Sequence, residues 1–589
     1  VCEQRAHDVL LLMLCAFNEK SSVWWLGPGE HYHLEARVCA EMRLNSSCLQ
    51  AIVEANPAVK VPCYQRSEIK VGIAHIGVGN FHRAHQAVFQ DDVLGLSGNE
   101  SWGYVGVGLL PQDATLQEKL SNQDFLYTLW EKDSSSENVR VIGCHTDYLL
   151  ATSEAQKVME VLCCSATKIV TLTITEKGFC LDLASGQLDL TNPHVQFDIA
   201  SLKSSTANDA PVFRTAPGYL VAAARRRLSE GTAGFTVLSC DNIQENGQKL
   251  RAAVGGLAEA VDPTLRAWIE QELTFPNSMV DRITPATTDE ARAEITERFG
   301  IIDQAPVVCE KFCLWVVEDK FPFGRPPWEK STVGKCLLVQ DVLPYELLKL
   351  RLLNGVHQAL AYPAMLLNHE FVHTAMADKR IREFLGHYTA AARCTVQAVD
   401  GLDTTEWIST VLERFANPAI KDTIFRLTED ATNRCSVALA PCMTNDAIEP
   451  GKGLSEAQLR AIVFPVSCWA RCLLSSIANG ALPCTKPLNR DDRAKELGLC
   501  TLAQNVWQSA KACTEVVEDE REAVASAAPE QKRRRAEPGA NAERAAAAFL
   551  TAAFGERAAG TTVCRIFASQ LQILCVAGGV EAALTSSNS

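Results

Sequence analysis

The chain has 589 residues, of which 47% are hydrophobic and 21% are charged. At roughly 100 to 200 residues per domain, this length predicts two to four folded domains and excludes a peptide hormone or a small disulfide scaffold. The net charge of −14 repels phosphate backbones, so we expect no nucleic-acid partner. The early apolar run at residues 9–17 is much shorter than the ~20 residues that cross a bilayer, so we expect a cytoplasmic protein with no membrane partner.

Cysteine is abundant, with 23 residues, but no two cysteines are three positions apart. The CxxC pairs of zinc sites and of thioredoxin-like centres are therefore absent from the sequence. We expect most of these cysteines to be reduced and buried as small apolar side chains.

The sequence divides into four parts. Residues 1–56 have no clear periodicity and are interpreted as an extension of unknown structure, and residues 57–304 are predicted to form a cofactor-binding domain. Residues 305–589 are predicted to form a helical substrate domain. Residues 516–548 are a low-complexity insertion within it, whose basic cluster at 532–535 stands beside many glutamates and indicates a solvated segment rather than a nuclear signal.

Short β-rich runs at residues 69–76, 104–109, 168–175 and 235–240 are separated by stretches of helical composition such as 210–227. Strands that alternate with helices predict a parallel, doubly wound sheet. Beyond about residue 340 these runs fade, and the patterns at 344–377, 378–392, 405–415 and 455–477 predict helices. The expected fold class is α/β, with a Rossmann-like doubly wound N-terminal domain and a mainly α-helical C-terminal domain.

The first β-rich run ends in a glycine turn at Gly77 and Gly79. In a dinucleotide site the first glycine permits the tight turn and the second lets the backbone approach a pyrophosphate. His82 replaces the third glycine of the usual fingerprint, so the prediction depends on the strand that precedes the turn. The predicted cofactor-binding residues of this segment are Ile76, Gly77, Val78, Gly79, Asn80, Phe81, His82, Arg83 and Ala84.

Asp113 follows the second β-rich run, where a ribose hydroxyl would need an acceptor. Its charge would repel the extra phosphate of NADP, and no Arg or Lys follows before Lys119, so the sequence favours NAD. The gap from Gly77 exceeds the usual ~20 residues. The alternative is that Asp113 only caps a helix.

A largely apolar helix is predicted at residues 343–357, and its few polar groups must be paired or serve chemistry. At ~100° per residue and with Lys349 at zero, Glu346 lies near 60°, His357 near 80° and Asn354 near 140°. Burial would lower the pKa of Lys349, so it could take a proton from an alcohol near neutral pH. Asn354 could stabilise an alkoxide, together with Asn242 from the end of a strand. A purely structural Lys–Glu pair is the alternative.

Several long segments in order resemble the long-chain polyol-specific dehydrogenases: residues 75–86, 175–178, 238–247, 275–285 and 345–357. The resemblance covers residues 59–584 and implies a metal-independent, NAD-dependent oxidation of D-mannitol to D-fructose. It implies that Lys349 is the base, that Asn242 and Asn354 hold the alkoxide, that His357 contacts substrate and that Glu346 lies on the proton path. It further implies substrate contacts by Asp281, Arg426 and Arg434, the last of which is usually Lys.

Other activities stay open at this stage. A hexuronate oxidoreductase acting on fructuronate and mannonate, or another polyol dehydrogenase, would keep the lysine base. A sensor that binds NAD without turnover is less favoured, because the base, the amides and the histidine occur together. We expect a polyol or ketose substrate, NAD as the cofactor, no metal, and a monomeric protein.

Overall fold

The structure is a computed structural model. It describes residues 23–27, 30–34, 42–182, 185–444, 453–475, 491, 494–495, 497–509, 540–575 and 579–587. The basic cluster at 532–535, and the low-complexity segment up to residue 539, lie outside these residues.

The strands in chain order are β1 (Val23–Gly27), β2 (Glu30–Leu34), β3 (Met42–Arg43), β4 (Val59–Lys60), β5 (Val71–Ile76), β6 (Gly103–Gly108), β7 (Tyr127–Lys132), β8 (Glu137–Ile142), β9 (His145–Leu150), β10 (Ile169–Leu172), β11 (Thr236–Ser239), β12 (Ser278–Asp281), β13 (Ile301–Ile302), β14 (Val307–Glu310), β15 (Leu314–Glu318) and β16 (Lys335–Val339).

The main sheet has five parallel strands in the order β11-β10-β5-β6-β9. When the five strands are numbered by their order along the chain, their order across the sheet is 5-4-1-2-3. Read from the other edge this is 3-2-1-4-5, the Rossmann order. The strand β5 lies at the topological switch point, where ligands bind in such folds. The four β-rich runs of the sequence are β5, β6, β10 and β11, so the predicted doubly wound N-terminal fold is confirmed. Their near-continuous burial reflects helices on both faces.

Strands continue past our predicted domain boundary at residue 304. β14 pairs with β7 in a four-stranded sheet of order β14-β7-β8-β4, and β15 and β16 join β12 in a three-stranded sheet. The mainly helical part begins only after β16. The boundary was misplaced because these strands pair with partners far away in the chain, which local composition does not reveal. At the other end, β3 pairs with β13, so part of the predicted extension belongs to the fold.

The helices in chain order are α1 (Leu49–Ala55), α2 (Asn80–Ala84), α3 (Gln86–Leu94), α4 (Asp113–Ser121), α5 (Ala151–Cys163), α6 (Thr175–Gly178), α7 (Pro193–Ser204), α8 (Ala216–Glu230), α9 (Asn246–Val261), α10 (Pro263–Glu272), α11 (Asp289–Phe299), α12 (Leu343–Lys349), α13 (Gly355–Leu366), α14 (Val372–Ala377), α15 (Lys379–Arg393), α16 (Thr404–Phe415), α17 (Ile424–Leu427), α18 (Ala431–Ala438), α19 (Ala440–Met443), α20 (Glu456–Ser475), α21 (Ala540–Phe554), α22 (Thr561–Leu574) and α23 (Gly579–Ser587).

The helical domain has its own core, built mainly by α13, α15, α20, α21 and α22. Within the described part of the chain, only α20 is long and apolar enough to cross a membrane, and 83% of its apolar window is buried inside the protein. The predicted helices at 378–392, 405–415 and 455–477 correspond to α15, α16 and α20. The predicted helix at 344–377 is instead divided into α12, α13 and α14, and the division between the first two lies at the site described next.

Candidate active site

The glycine turn follows β5 at the switch point of the main sheet. Gly77 has a φ of +93°, and a Cβ atom there would lie 2.2 Å from the carbonyl oxygen of Thr173, so only glycine fits. A Cβ atom at Gly79 would meet nothing closer than the Gly77 oxygen at 3.9 Å. The backbone at Gly79 therefore borders open space, which is what a bound pyrophosphate requires.

The side chains after the turn point into the protein. His82, Arg83 and Ala84 are almost completely buried, and the His82 ring stacks on His75 with 3.4 Å between the ring centroids. Arg83 donates to the Asn80 side chain at 2.7 Å. Any contact of these three residues with a cofactor would therefore use the backbone. The helix α2 is also short, with five residues, so its dipole adds little.

Asp113 lies at the first position of α4, beyond the strand next to β5. Its Oδ2 atom accepts a hydrogen bond from the backbone N–H of Leu110 at 2.9 Å. This bond closes the turn that precedes α4, but the helix has no side-chain cap hydrogen bond, so Asp113 does not act as the helix cap of the alternative prediction. The position beside the switch point is the one that the ribose hypothesis requires, so the geometry is compatible with that role and with closing the turn.

Lys349 is the last residue of α12, and its side chain contacts the N-terminal domain. Its Nζ atom donates to the Oδ1 atom of Asn242, which follows β11, and to the carbonyl oxygen of Val280 in β12 at 2.8 Å. The lysine is only 5% exposed, and the same small cavity is lined by Asn242, Glu346 and Lys349. The acceptors for this lysine of the helical domain therefore come from two sheets: Asn242 follows β11 of the main sheet, and Val280 lies in β12 of the three-stranded sheet.

A π-helical turn, Leu350–Asn354, separates α12 from α13. Such a turn acts as a one-residue insertion in an α-helix and is frequent at functional sites. It rotates the following residues back by about 100°, which places Asn354 near 40° and His357 near −20° relative to Lys349. The interruption therefore narrows the arc of polar groups that we derived for an uninterrupted helix. The side chain of Asn354 makes no hydrogen bond within the described residues, so its amide is free to bind a ligand.

The charged groups around Lys349 shift its pKa in opposite directions. Burial lowers its pKa, and Arg414 lowers it further, while Asp281 and Glu346 raise it. Burial alone would raise the pKa of Asp281, but the guanidinium of Arg414 outweighs this and holds it below the usual value. Asp281 is therefore ionised, and its charge is balanced by Arg414 rather than by Lys349 alone.

Glu346 is the second ionisable group of the lysine helix. Both of its oxygens accept from the backbone N–H of Glu245, at 3.1 Å each, which ties α12 to the start of α9. Burial raises the pKa of Glu346 to about 7, although the Glu245 N–H acts in the opposite direction. A carboxyl group with this pKa can exchange protons near neutral pH.

His357 lies against Phe415, with parallel rings 3.9 Å apart. Its Nε2 atom is buried and has no hydrogen-bond partner among the described residues. Burial keeps the pKa of His357 well below its usual value, and the guanidiniums of Arg426, Arg414 and Arg434 act in the same direction. A neutral histidine with one unsatisfied ring nitrogen is suited to hold a hydroxyl group.

The two arginines that the resemblance assigns to substrate differ in their surroundings. Arg426 forms a bidentate ion pair with Asp422, with Nε 2.6 Å from the carboxylate. Within the described part of the chain, the half-buried guanidinium of Arg434 makes no ion pair. Both lie close enough to His357 to affect its pKa, so the structure gathers the catalytic and substrate residues predicted from the sequence around one helix.

No sequence pattern indicated that Arg414, Glu310, Glu245 or Phe415 are site residues. Arg414 and Phe415 lie in a helix with an ordinary amphipathic pattern, and Glu310 lies in a short buried strand. The site residues that they contact are far away in the chain: His357 is 58 residues from Phe415, and the other pairs are separated by more than 100 residues. No local spacing in the sequence therefore marks these residues. Among the described residues no group of three or more His, Cys, Asp or Glu side chains is placed to hold a metal ion.

A parallel sheet in Rossmann order, a glycine turn at its switch point and a buried lysine held by an amide at the same edge define a dinucleotide-dependent dehydrogenase. Comparison with known proteins gives the family. The mannitol dehydrogenase Rossmann domain matches residues 71–330, and the mannitol dehydrogenase C-terminal domain matches residues 341–470. The chain belongs to the mannitol dehydrogenase family and is an oxidoreductase that acts on CH–OH groups.

Its relatives have more than one activity. Mannitol 2-dehydrogenase of Aspergillus fumigatus is 39% identical over 434 residues, which are 73% of this chain and 84% of the relative. D-mannonate oxidoreductase of Escherichia coli is 39% identical over 389 residues, covering 66% and 78%. The structure of Pseudomonas fluorescens mannitol 2-dehydrogenase, a ternary complex with NAD and D-mannitol, is 32% identical with a TM-score of 0.72 and covers 92% of this chain and 99% of that one.

Proposed function

We propose that the chain catalyses the NAD-dependent oxidation of D-mannitol to D-fructose, and the reverse reduction, with Lys349 as the general base. The names of its relatives support the substrate class. The hydrogen bonding of Lys349 supports the role of the base.

The observation that carries the proposal is the pair of acceptors at Lys349. A neutral amine has two N–H donors and one lone pair, whereas the ammonium form has three donors and no lone pair. Asn242 and Val280 accept two N–H bonds. In the neutral form these bonds leave the lone pair free for the proton of the substrate hydroxyl, and in the ammonium form the third N–H faces the substrate oxygen.

The remaining groups stabilise the charge that develops. Because the Oδ1 atom of Asn242 faces the lysine, its amide N–H groups are left for the alkoxide oxygen, and Asn354 supplies a second amide. His357 holds a neighbouring hydroxyl through Nε2. Glu346 lines the same cavity as Lys349, so it receives the proton from the lysine and passes it toward solvent.

NAD, when bound, supplies the acceptor for the hydride that leaves the alcohol carbon. The open space at Gly79 and the positive φ at Gly77 fit its pyrophosphate, and we infer that Asp113 accepts from the ribose hydroxyls. Lys349, held between Asn242 after β11 and Val280 in β12, then lies on the side of the crevice where the substrate alcohol must enter.

A substrate panel tests the proposal. Purified protein with NADH is offered D-fructose, D-fructuronate, D-tagaturonate, D-xylulose and D-fructose 6-phosphate, and the loss of NADH absorbance gives kcat/KM for each. We expect D-fructose to have the highest value, with D-mannitol and NAD giving the reverse reaction. NADH binding without turnover of any compound would instead identify a sensor.

Reduction of a hexuronate such as fructuronate is the second candidate. It is favoured by the guanidinium of Arg434, which makes no ion pair with the residues that the structure describes. A carboxylate at the end of the substrate could form a charge-assisted pair with this group, and one relative is a D-mannonate oxidoreductase. Arg434→Gln would then lower kcat/KM for fructuronate at least tenfold while changing that for fructose little. Equal effects on both substrates would remove the argument for a carboxylate.

A further inference from the structure

Two consecutive residues at the end of α16 contact two separate parts of the candidate site. The guanidinium of Arg414 donates to both oxygens of Asp281, at 2.8 and 2.9 Å. It also donates to both oxygens of Glu310, at 2.9 and 2.7 Å. Its Cζ atom lies 4.0 Å from the centre of the Phe312 ring, so the guanidinium is held in its plane by two carboxylates and on one face by an aromatic ring.

The next residue, Phe415, contacts a different group of the site, the imidazole of His357. Its ring is parallel to that of His357 within 6°, and it is 2% exposed. A flat stacked neighbour restricts rotation of the imidazole about χ2, which is otherwise a broad torsion. The unpartnered Nε2 atom of His357 therefore keeps one direction.

We propose that Arg414 and Phe415 form a brace, here called the α16 brace, that positions Asp281 and His357 for the reaction at Lys349. The inference rests on the proposed function. Neither residue of the brace touches the reacting atoms, so both are positioning residues. Because they are adjacent at one helix end, a single element of the helical domain sets the charge beside the lysine and the orientation of the histidine.

Arg414 acts through charge balance. Asp281 and Glu310 are buried carboxylates, and a single buried cation compensates both. Without Arg414, Lys349 would be the nearest cation to Asp281 and would pair with it, which favours the ammonium over the amine. The ionisable groups that act on Lys349 or are affected by it are Asp281, Arg414, Glu346, His85 and His357.

The test of the Arg414 part compares pH profiles of D-mannitol oxidation. We expect Arg414→Gln to move the ascending limb of kcat/KM to higher pH by about one unit or more, and Arg414→Lys, which keeps the charge, to move it less. Arg140→Gln removes a largely buried pair with Asp91 outside the site and controls for loss of a buried guanidinium. A lower rate with an unshifted profile in both Arg414 variants would reduce Arg414 to a structural residue.

The test of the Phe415 part separates KM from kcat. Phe415→Leu keeps an apolar side chain but removes the flat stacking surface, so we expect KM for D-fructose to rise at least fivefold with an unshifted pH profile. Phe415→Tyr, which keeps a ring, should restore most of the affinity. An unchanged KM in Phe415→Leu would overturn this part. NADH fluorescence titration and wild-type turnover accompany each variant, because a wild-type protein without turnover would refute the proposed function rather than the brace.

Discussion

The Nζ atom of Lys349 donates a hydrogen bond to the Oδ1 atom of Asn242, 107 residues earlier in the chain. One residue comes from the helical domain and the other from the end of a strand in the main sheet. The relative placement of the two domains therefore decides whether the lysine has acceptors for two of its protons.

We expect Lys349→Ala to lower the turnover of D-mannitol by about 10² to 10⁴, the contribution of a general base. NADH binding should change little, because the glycine turn follows β5, whereas Lys349 lies in α12. Stopped-flow turnover and NADH fluorescence titration measure the two effects. Lys379→Ala, at a side chain 88% exposed in the helical domain, is the matched control. A variant that keeps more than half of the wild-type turnover would exclude Lys349 as the base.

The rate of alcohol oxidation should rise with pH through the pKa of Lys349. Burial lowers that pKa, and only the neutral amine accepts a proton. The measurement is kcat/KM for D-mannitol from about pH 6 to 10, with the ascending limb below the ordinary lysine range. A flat profile over this interval would contradict the assignment.

Glu346→Gln should stabilise the protein at alkaline pH. The pKa of Glu346 is raised from 4.5 to about 7 in the folded state, so between these values the folded state binds more protons than the unfolded state. Stability contributed by this group is therefore lost as pH rises through that window, by at most about 3 kcal/mol. Denaturant unfolding of both proteins at pH 5 and pH 8 checks this. The variant should gain much more stability relative to wild type at pH 8 than at pH 5, and an equal difference at both pH values would refute the raised pKa.

NAD should be preferred over NADP by roughly tenfold to a thousandfold, or ~1.4 to 4 kcal/mol, if Asp113 binds the ribose. Asp113→Asn keeps an acceptor for the Leu110 N–H but removes the charge. We expect it to raise the use of NADP relative to NAD with little change in melting temperature. Asp113→Ala removes both features and should also lower stability. An unchanged ratio of catalytic efficiencies in Asp113→Asn would leave Asp113 only the structural role of closing the turn at Leu110.

Chelators should not inhibit the enzyme, because in the proposed mechanism Lys349 and two amides perform the work that a Lewis acid performs in zinc dehydrogenases. Activity is measured before and after prolonged dialysis against EDTA, with zinc added back. A loss that zinc reverses would overturn the proposed mechanism.

Local features of the sequence were sufficient for the strands of the main sheet and for the glycine turn. Apolar runs such as Val71–Ile76, which is buried along almost its whole length, mark strands by composition alone, and Gly77 is required by the backbone conformation of the turn itself. The lysine helix was also predictable, because Lys349 and Glu346 are polar residues in an otherwise apolar segment. The substrate-binding roles of Asp281, Arg426 and Arg434 were predicted only through the family resemblance, because no local sequence pattern indicates them.

The tertiary structure decided the features that depend on distant residues. Strands β14 to β16 belong with the sheets because their partners are elsewhere in the chain, and the π-helical turn at Leu350–Asn354 interrupts a segment whose composition suits an unbroken helix. The pairing of Asp281 with Arg414, and the stacking of Phe415 on His357, likewise join residues from different elements. Such contacts depend on how helices and sheets pack, and packing brings together side chains whose separation along the chain carries no periodic signal.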